Sequence, residues 1–153
     1  MKFSSCRGII IKDNKLVVMQ REKKGRRYCT FPGGHVEENE TNEECVVREL
    51  MEEFGIVVKP RRLIYGFESN GAMQGFFVLD WISGDIHKTD GEEYQENRKN
   101  GFYNPTMIDL SKLVEKNLVP EEIRDLLLND LKTYGKELNR EYIVIKKQCK
   151  CRC

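Results

Sequence analysis

The sequence predicts an α/β protein in which helices cover a mixed sheet. Three observations carry this. Most apolar residues fall into runs of strand length, separated by Gly, Pro or Asp-Asn signals. Two stretches instead show helical spacing with recognisable ends. The order of the pieces is β-hairpin, β, α, β, β, β, α, which suits a layered α/β sandwich. The 153 residues fit one main domain, and 39% apolar against 33% charged is enough to build a core and excludes a disordered chain.

Taken in order, residues 7–21 read as a hairpin, with apolar runs at Gly8–Lys12 and Leu16–Met19 joined by the turn residues Asp13-Asn14. Residues 22–27 read as a loop, and Tyr28–Phe31 as a short strand ended by Pro32-Gly33-Gly34. Residues 42–54 carry the strongest helix signal. Thr41 and Glu44 fit a capping box, Gly55 fits a left-handed C-cap, and Val46, Val47, Leu50, Met51 and Phe54 form a core-facing stripe. Strands follow at 56–68, broken at Pro60, and from Gly75 to Ile82. Residues 83–101 read as a long polar loop, and Phe102–Leu110 as a strand. Pro120 opens a second helix with Ile123, Leu126, Leu127 and Leu131 on one side, ended by Gly135. Tyr142–Ile145 reads as a last strand. The boundaries expected are a domain over 1–135 and an appended strand and Cys-rich tail over 136–153.

The net charge is +1, which argues against a general polyanion binder. The charges are segregated, however. Arg21, Lys23, Lys24, Arg26 and Arg27 put five bases into seven residues, and eight glutamates follow between Glu37 and Glu53. No segment has the roughly 18 apolar residues of a membrane helix, and Met1–Arg7 is not a secretory signal, so a cytoplasmic protein is expected. The six cysteines, three of them in Cys149-Lys150-Cys151-Arg152-Cys153, then read as free thiols. The tail has soft-metal ligands, but three thiolates with no nearby His leave a zinc site incomplete. His35 and His87 have no partner spacing and read as exposed bystanders.

Glu49, Glu52 and Glu53 lie on one side of the first helix, about 100° of arc apart at most. Like charges one turn apart destabilise a helix by a few tenths of a kcal/mol. A hard divalent cation offsets that repulsion; Mg²⁺ or Mn²⁺ takes carboxylate oxygens and shares a substrate phosphate. An acidic helix face alone is more often solvated surface. The spacing decides the matter. Gly34, five residues, Glu40, seven residues, then Arg48-Glu49-Leu50-Met51-Glu52-Glu53-Phe54-Gly55-Ile56 matches G-x5-E-x7-R-E-U-x-E-E-x-G-U, where U is a bulky aliphatic. Its chance frequency is ~10⁻¹⁰ per starting position at average residue usage.

This pattern, preceded by Phe31-Pro32-Gly33, makes the chain resemble the Nudix hydrolases. The resemblance implies a Nudix-type α/β/α sandwich with helices on both sides of the mixed sheet. It also implies hydrolysis, with Mg²⁺ or Mn²⁺, of a nucleoside diphosphate linked to another moiety. By the same resemblance Glu52 and Glu53 are metal ligands, and Glu49 is a further ligand or the general base. The Gly33 carbonyl completes the ligand shell. Arg48 and Glu40 orient the carboxylates, and Gly55 ends the helix. Some members take another ligand or base from a late loop. Glu92, Glu93 and Glu96 are available here, and Glu93 is our choice.

Arg21 falls where many members place a phosphate-contacting Arg; Arg27 and Gly34 join it as substrate-binding candidates. Tyr28, Phe31, Phe67, Phe77 and Tyr103 are candidates for base stacking, although strand aromatics are mostly core. The substrate expected is a small nucleotide of the MutT or ADP-ribose kind, with an RNA 5′ end or a second copy of the chain left open as partners. The rival readings are a Nudix-fold nucleotide sensor that binds without cleaving, and a scaffold acting through its tail thiols.

Overall fold

The structure is a computed structural model that describes residues 1–86 and 102–148. Ten strands and two α-helices are found among these: β1 (Ser5–Ile9), β2 (Ile11–Lys12), β3 (Lys15–Lys23), β4 (Arg26–Thr30), β5 (Gly33–His35), α1 (Asn42–Phe54), β6 (Val57–Ser69), β7 (Ala72–Ser83), β8 (Phe102–Asp109), β9 (Leu118–Val119), α2 (Glu121–Tyr134) and β10 (Ile143–Lys146). One sheet runs β10-β6-β7-β1-β5, and the other β2-β3-β4-β9 with β8 paired to β3. Both are mixed: β1·β7, β10·β6 and β4·β9 are parallel, and the remaining pairs antiparallel.

The expected hairpin at 7–21 exists, but it is divided. Asp13 and Asn14, both at positive φ, make the tight turn between β2 and β3. β1, just upstream, leaves for the other sheet, where it lies between β5 and β7. Residues 22–27 are not a loop. β3 continues to Lys23 and β4 starts at Arg26, with Lys24 and Gly25 at positive φ forming a second two-residue turn. Gly25 makes that turn cheap, and the five bases sit on a two-stranded ribbon. Pro32 ends β4, yet Gly33–His35 forms β5 against β1, because the glycines allow close approach: a Cβ at Gly33 would lie 2.0 Å from the Cys6 carbonyl oxygen. Pro60 does not break β6; the ladder to β7 absorbs it by a register shift between Pro60 and Arg62.

The apolar runs alternate between two cores. Leu16, Val18, Phe76 and Val78 join a cluster with Phe31, Ile64, Tyr65 and the α2 residues Ile123 and Leu127. Val17, Met19, Phe77 and Leu79 join the cluster under α1, with Val46, Leu50, Phe54 and Ile56. Period-two strands with both faces apolar therefore place one helix on each side. Met51, expected in the α1 stripe, is instead 46% exposed, one step round the helix from Leu50. Beneath the sheet, the Tyr65 hydroxyl donates to buried Asp130 at 2.6 Å, and Arg140 grips the same carboxylate at 2.9 Å. β10 lies beside β6 in parallel, in register Ile143↔Tyr65 to Lys146↔Glu68.

Candidate active site

Helix α1 starts and stops where its sequence requires. Thr41 accepts from the Glu44 amide, Glu44 accepts from the Thr41 amide, and Gly55 caps the C-terminus at φ 72°. The fixed ends set the rotation of the helix. Leu50 and Phe54 then point into the core, and the glutamates line the side next to β5.

Arg48 is the hub of that side. It donates to Glu40 through Nε at 2.6 Å and Nη2 at 2.9 Å, a two-pronged pair. Its Nη1 donates to Glu49 Oε1 at 2.9 Å and Glu52 Oε2 at 3.2 Å, and its Nη2 to the His35 carbonyl at 3.1 Å. The Arg48 guanidinium holds the Glu40 carboxyl down to about 2, and the carboxylates in turn raise Arg48. Glu40 also accepts from the Glu37 amide, so the loop before α1 is tied to the helix face.

Glu49 and Glu53 come together on the inner part of that face. Burial, then a hydrogen bond to Glu49 and its negative charge, push the Glu53 carboxyl up to about 8; Arg7 and Arg21 oppose the shift. Gly34 makes room for the pair, since a Cβ there would sit 2.6 Å from Glu49 Oε1. The donor set consists of oxygens alone, and a like-charged, half-buried pair is what a hard cation relieves. The residues therefore fit a divalent ion of the Mg²⁺ type, which keeps waters and needs few protein ligands. Among the described residues no group of three or more His, Cys, Asp or Glu side chains closes into a cage. Glu52 is turned outward to Arg48, with its side chain 59% exposed. The Gly33 carbonyl accepts from Arg7 Nη1 at 3.0 Å.

Arg7 is a candidate site residue that the sequence reading does not include. Its half-buried guanidinium also donates to the Phe31 carbonyl at 3.2 Å and Gln74 at 3.4 Å. Burial lowers its affinity for its proton, and Glu53 and Glu49 offset this only in part. The available signal was a lone cation inside a strand whose other residues are buried. Arg21 stands nearby, flanked across the sheet by its register partners Tyr28 and Tyr103. It donates to the Tyr103 hydroxyl at 2.7 Å, and its guanidinium lies 4.5 Å from that ring's centre. Arg27 lies further out, 86% exposed beside Glu22.

A cavity of about 1100 Å³ has Arg7 in its lining. Phe31 and Phe67 line it together with the β6–β7 turn, the start of α2 and the end of β10. Phe77 and Tyr103 belong to the α1-side packing instead. His35 is exposed, and the Cys6 and Cys45 thiols are kept protonated by burial, pushed up to about 12 and 11. Glu92, Glu93, Glu96, His87 and the three tail cysteines lie outside the described residues.

Among curated proteins, an ADP-ribose pyrophosphatase of Methanocaldococcus jannaschii is 36% identical over 96 residues, covering 58% of this chain and 57% of that protein. The chain thus spans just over half the length of that relative. An 8-oxo-dGTP diphosphatase of Proteus vulgaris is 35% identical over 88 residues, covering 52% of this chain and 79% of that protein. A Nudix hydrolase structure from Nitrosomonas europaea superposes with a TM-score of 0.68 at 18% identity, covering 96% of this chain and 81% of that one; it shares the fold. The NUDIX domain model itself matches residues 2–123. Two sheets with a helix on each side, the capped acidic helix with its Arg48 hub, and that match over most of the chain make this protein a member of the Nudix family.

Proposed function

We propose that the chain is a metal-dependent pyrophosphohydrolase. Its substrate is a nucleoside diphosphate linked to another moiety, a small nucleotide of the kind for which the relatives above are named. The observation that supports this most directly is the Glu49–Glu53 pair, opened by Gly34 and joined to the cavity through Arg7. Glu49 and Glu53 would hold Mg²⁺ or Mn²⁺, with Glu52, the Gly33 carbonyl and Glu93 as further candidate ligands. When bound, the ion polarises the phosphate and lowers the pKa of the attacking water.

The chain's own residues do the positioning. Arg48, anchored by Glu40, fixes Oε1 of Glu49 and so restricts that side chain to one orientation. Arg7 and Arg21 supply positive charge for the phosphates, Arg21 being held in place by Tyr28 and Tyr103. The reaction forms one bond from water oxygen to phosphorus and breaks one bridging P–O bond. The water proton passes to a carboxylate oxygen of the glutamate pair. Positioning and charge neutralisation account for most catalysis of this class.

The experiment is a panel of nucleoside diphosphate derivatives, assayed with Mg²⁺ or Mn²⁺, with chelator, and with Glu53→Gln. Turnover on at least one compound, abolished by chelator and by the variant, supports the reading. Metal-independent nucleotide binding without turnover on any compound overturns it in favour of a sensor.

A further inference from the structure

The family model ends at residue 123, yet the cavity has a wall that comes from beyond it. Lys146, Lys147 and Gln148, at and just after the end of β10, line the cavity together with Asn117 and the start of α2. Beyond the β10 ladder, two backbone amides tie down the end of this segment. The Lys147 amide donates to the Glu68 carbonyl at 2.8 Å, continuing the ladder with β6. The Gln148 amide then leaves the sheet and donates to the Glu122 carboxylate at 3.0 Å, in the first turn of α2. The segment therefore bridges sheet and helix along the cavity. Resting on the functional reading above, we propose that residues 143–148 are part of the substrate site and form the wall against which the nucleoside of a free nucleotide binds.

The charges around the cavity favour that ligand. Arg7, at the end next to Glu49 and Glu53, is the cation placed for the diphosphate. Away from it the lining charges balance, with Arg26, Lys146 and Lys147 against Glu68, Glu121 and Glu122. Lys146 already lies 3.8 Å from Glu68. A balanced lining that includes Phe31 and Phe67 suits an uncharged sugar and base; a continuing polyphosphate or RNA chain would call for net positive charge.

The Gln148–Glu122 bond allows a narrow test. Gln148→Pro removes that amide donor and leaves the β10 ladder untouched, since proline also favours extended backbone at the residue before it. Gln148→Ala keeps the donor. Calorimetry with AMP, and hydrogen exchange of the Lys147 and Gln148 amides with and without AMP, give readouts that need no metal and no turnover. AMP should slow exchange at both amides at least about 5-fold in the unmodified chain. Gln148→Pro should weaken AMP binding and raise KM on the hydrolysed substrate, each about 5-fold or more, and more than Gln148→Ala, which keeps the amide, with the larger effect in KM rather than kcat. AMP that binds without protecting these amides overturns the inference, as does a Gln148→Pro variant with unaltered affinity. A two-residue 5′-phosphorylated RNA that binds more tightly than AMP overturns the ligand assignment. If hydrolysis is present and only these effects are missing, the functional reading stands alone. If neither binding nor turnover occurs, both are overturned.

Discussion

Between Gly34 and Ile56, 23 consecutive residues bring together Glu40, Arg48, Glu49 and Glu53. The neighbouring cavity instead draws on β1, the end of β4, the β6–β7 turn, the start of α2 and the end of β10, spread from Arg7 to Gln148. The acidic site is local because a helix repeats its faces every three to four residues, so spacing alone places the side chains. The cavity is assembled by sheet pairing and has no spacing of its own. Damage to the two regions should therefore look different. Changes on α1 should stop chemistry with little effect on binding, and changes around the cavity should do the reverse.

The largest effect should come from Glu53→Gln, which we expect to lower kcat at least about 100-fold, since metal and electrostatic contributions are worth several kcal/mol. Product release followed by chromatography reads it; an unchanged kcat would remove Glu53 from the site. Gly34→Ala comes next. Its Cβ would meet a movable carboxylate rather than backbone, so Glu49 shifts while the fold stays. We expect kcat to fall by ~10-fold or more, because positioning errors of this kind are costly, with Tm within a few degrees of the parent. A variant that loses Tm and activity together would show Gly34 to be structural instead.

The Glu40–Arg48 pair gives a pH test. The Glu40 carboxyl is held at about 2, below its usual 4.5, so its contribution to stability is fully present above about 4.5 and is lost as pH falls toward 2. Urea unfolding of the parent and Glu40→Gln should therefore differ most near neutral pH and converge as the pH drops from 5 toward 3. A constant gap across that range would detach Arg48 from the effect. The smallest change should be Tyr65→Phe. Removing the hydroxyl leaves Asp130 still paired with Arg140, so a cost of ~1 kcal/mol in stability and no change in kcat are expected. A loss of kcat would mean that the α2-side core acts on the catalytic helix.

The legible parts of the chain are those governed by neighbours in sequence. Thr41, Glu44 and Gly55 announce the ends of α1, and the helix runs from Asn42 to Phe54 as read. The basic ribbon reads as a loop in sequence because its charges suggest solvent, whereas Lys24-Gly25 supplies a two-residue turn between paired strands. β5 was missed because Pro32-Gly33-Gly34 looks like a terminator; close packing against Cys6 is what turns those glycines into a strand. Arg7 went unnoticed because its partners are two backbone carbonyls, Gln74 and a distant carboxylate pair, none of them near it in sequence.

By itself the sequence determined the acidic helix, its caps, its buried stripe apart from Met51 and the family they indicate, because these depend on contacts within one or two turns. Only the tertiary structure decided that β1 and β3 lie in different sheets, that Arg7 comes within electrostatic reach of Glu49 and Glu53, and that β10 reaches the cavity. Those outcomes depend on which strands pair, and pairing is chosen by the burial of both sheet faces at once rather than by any short stretch of chain.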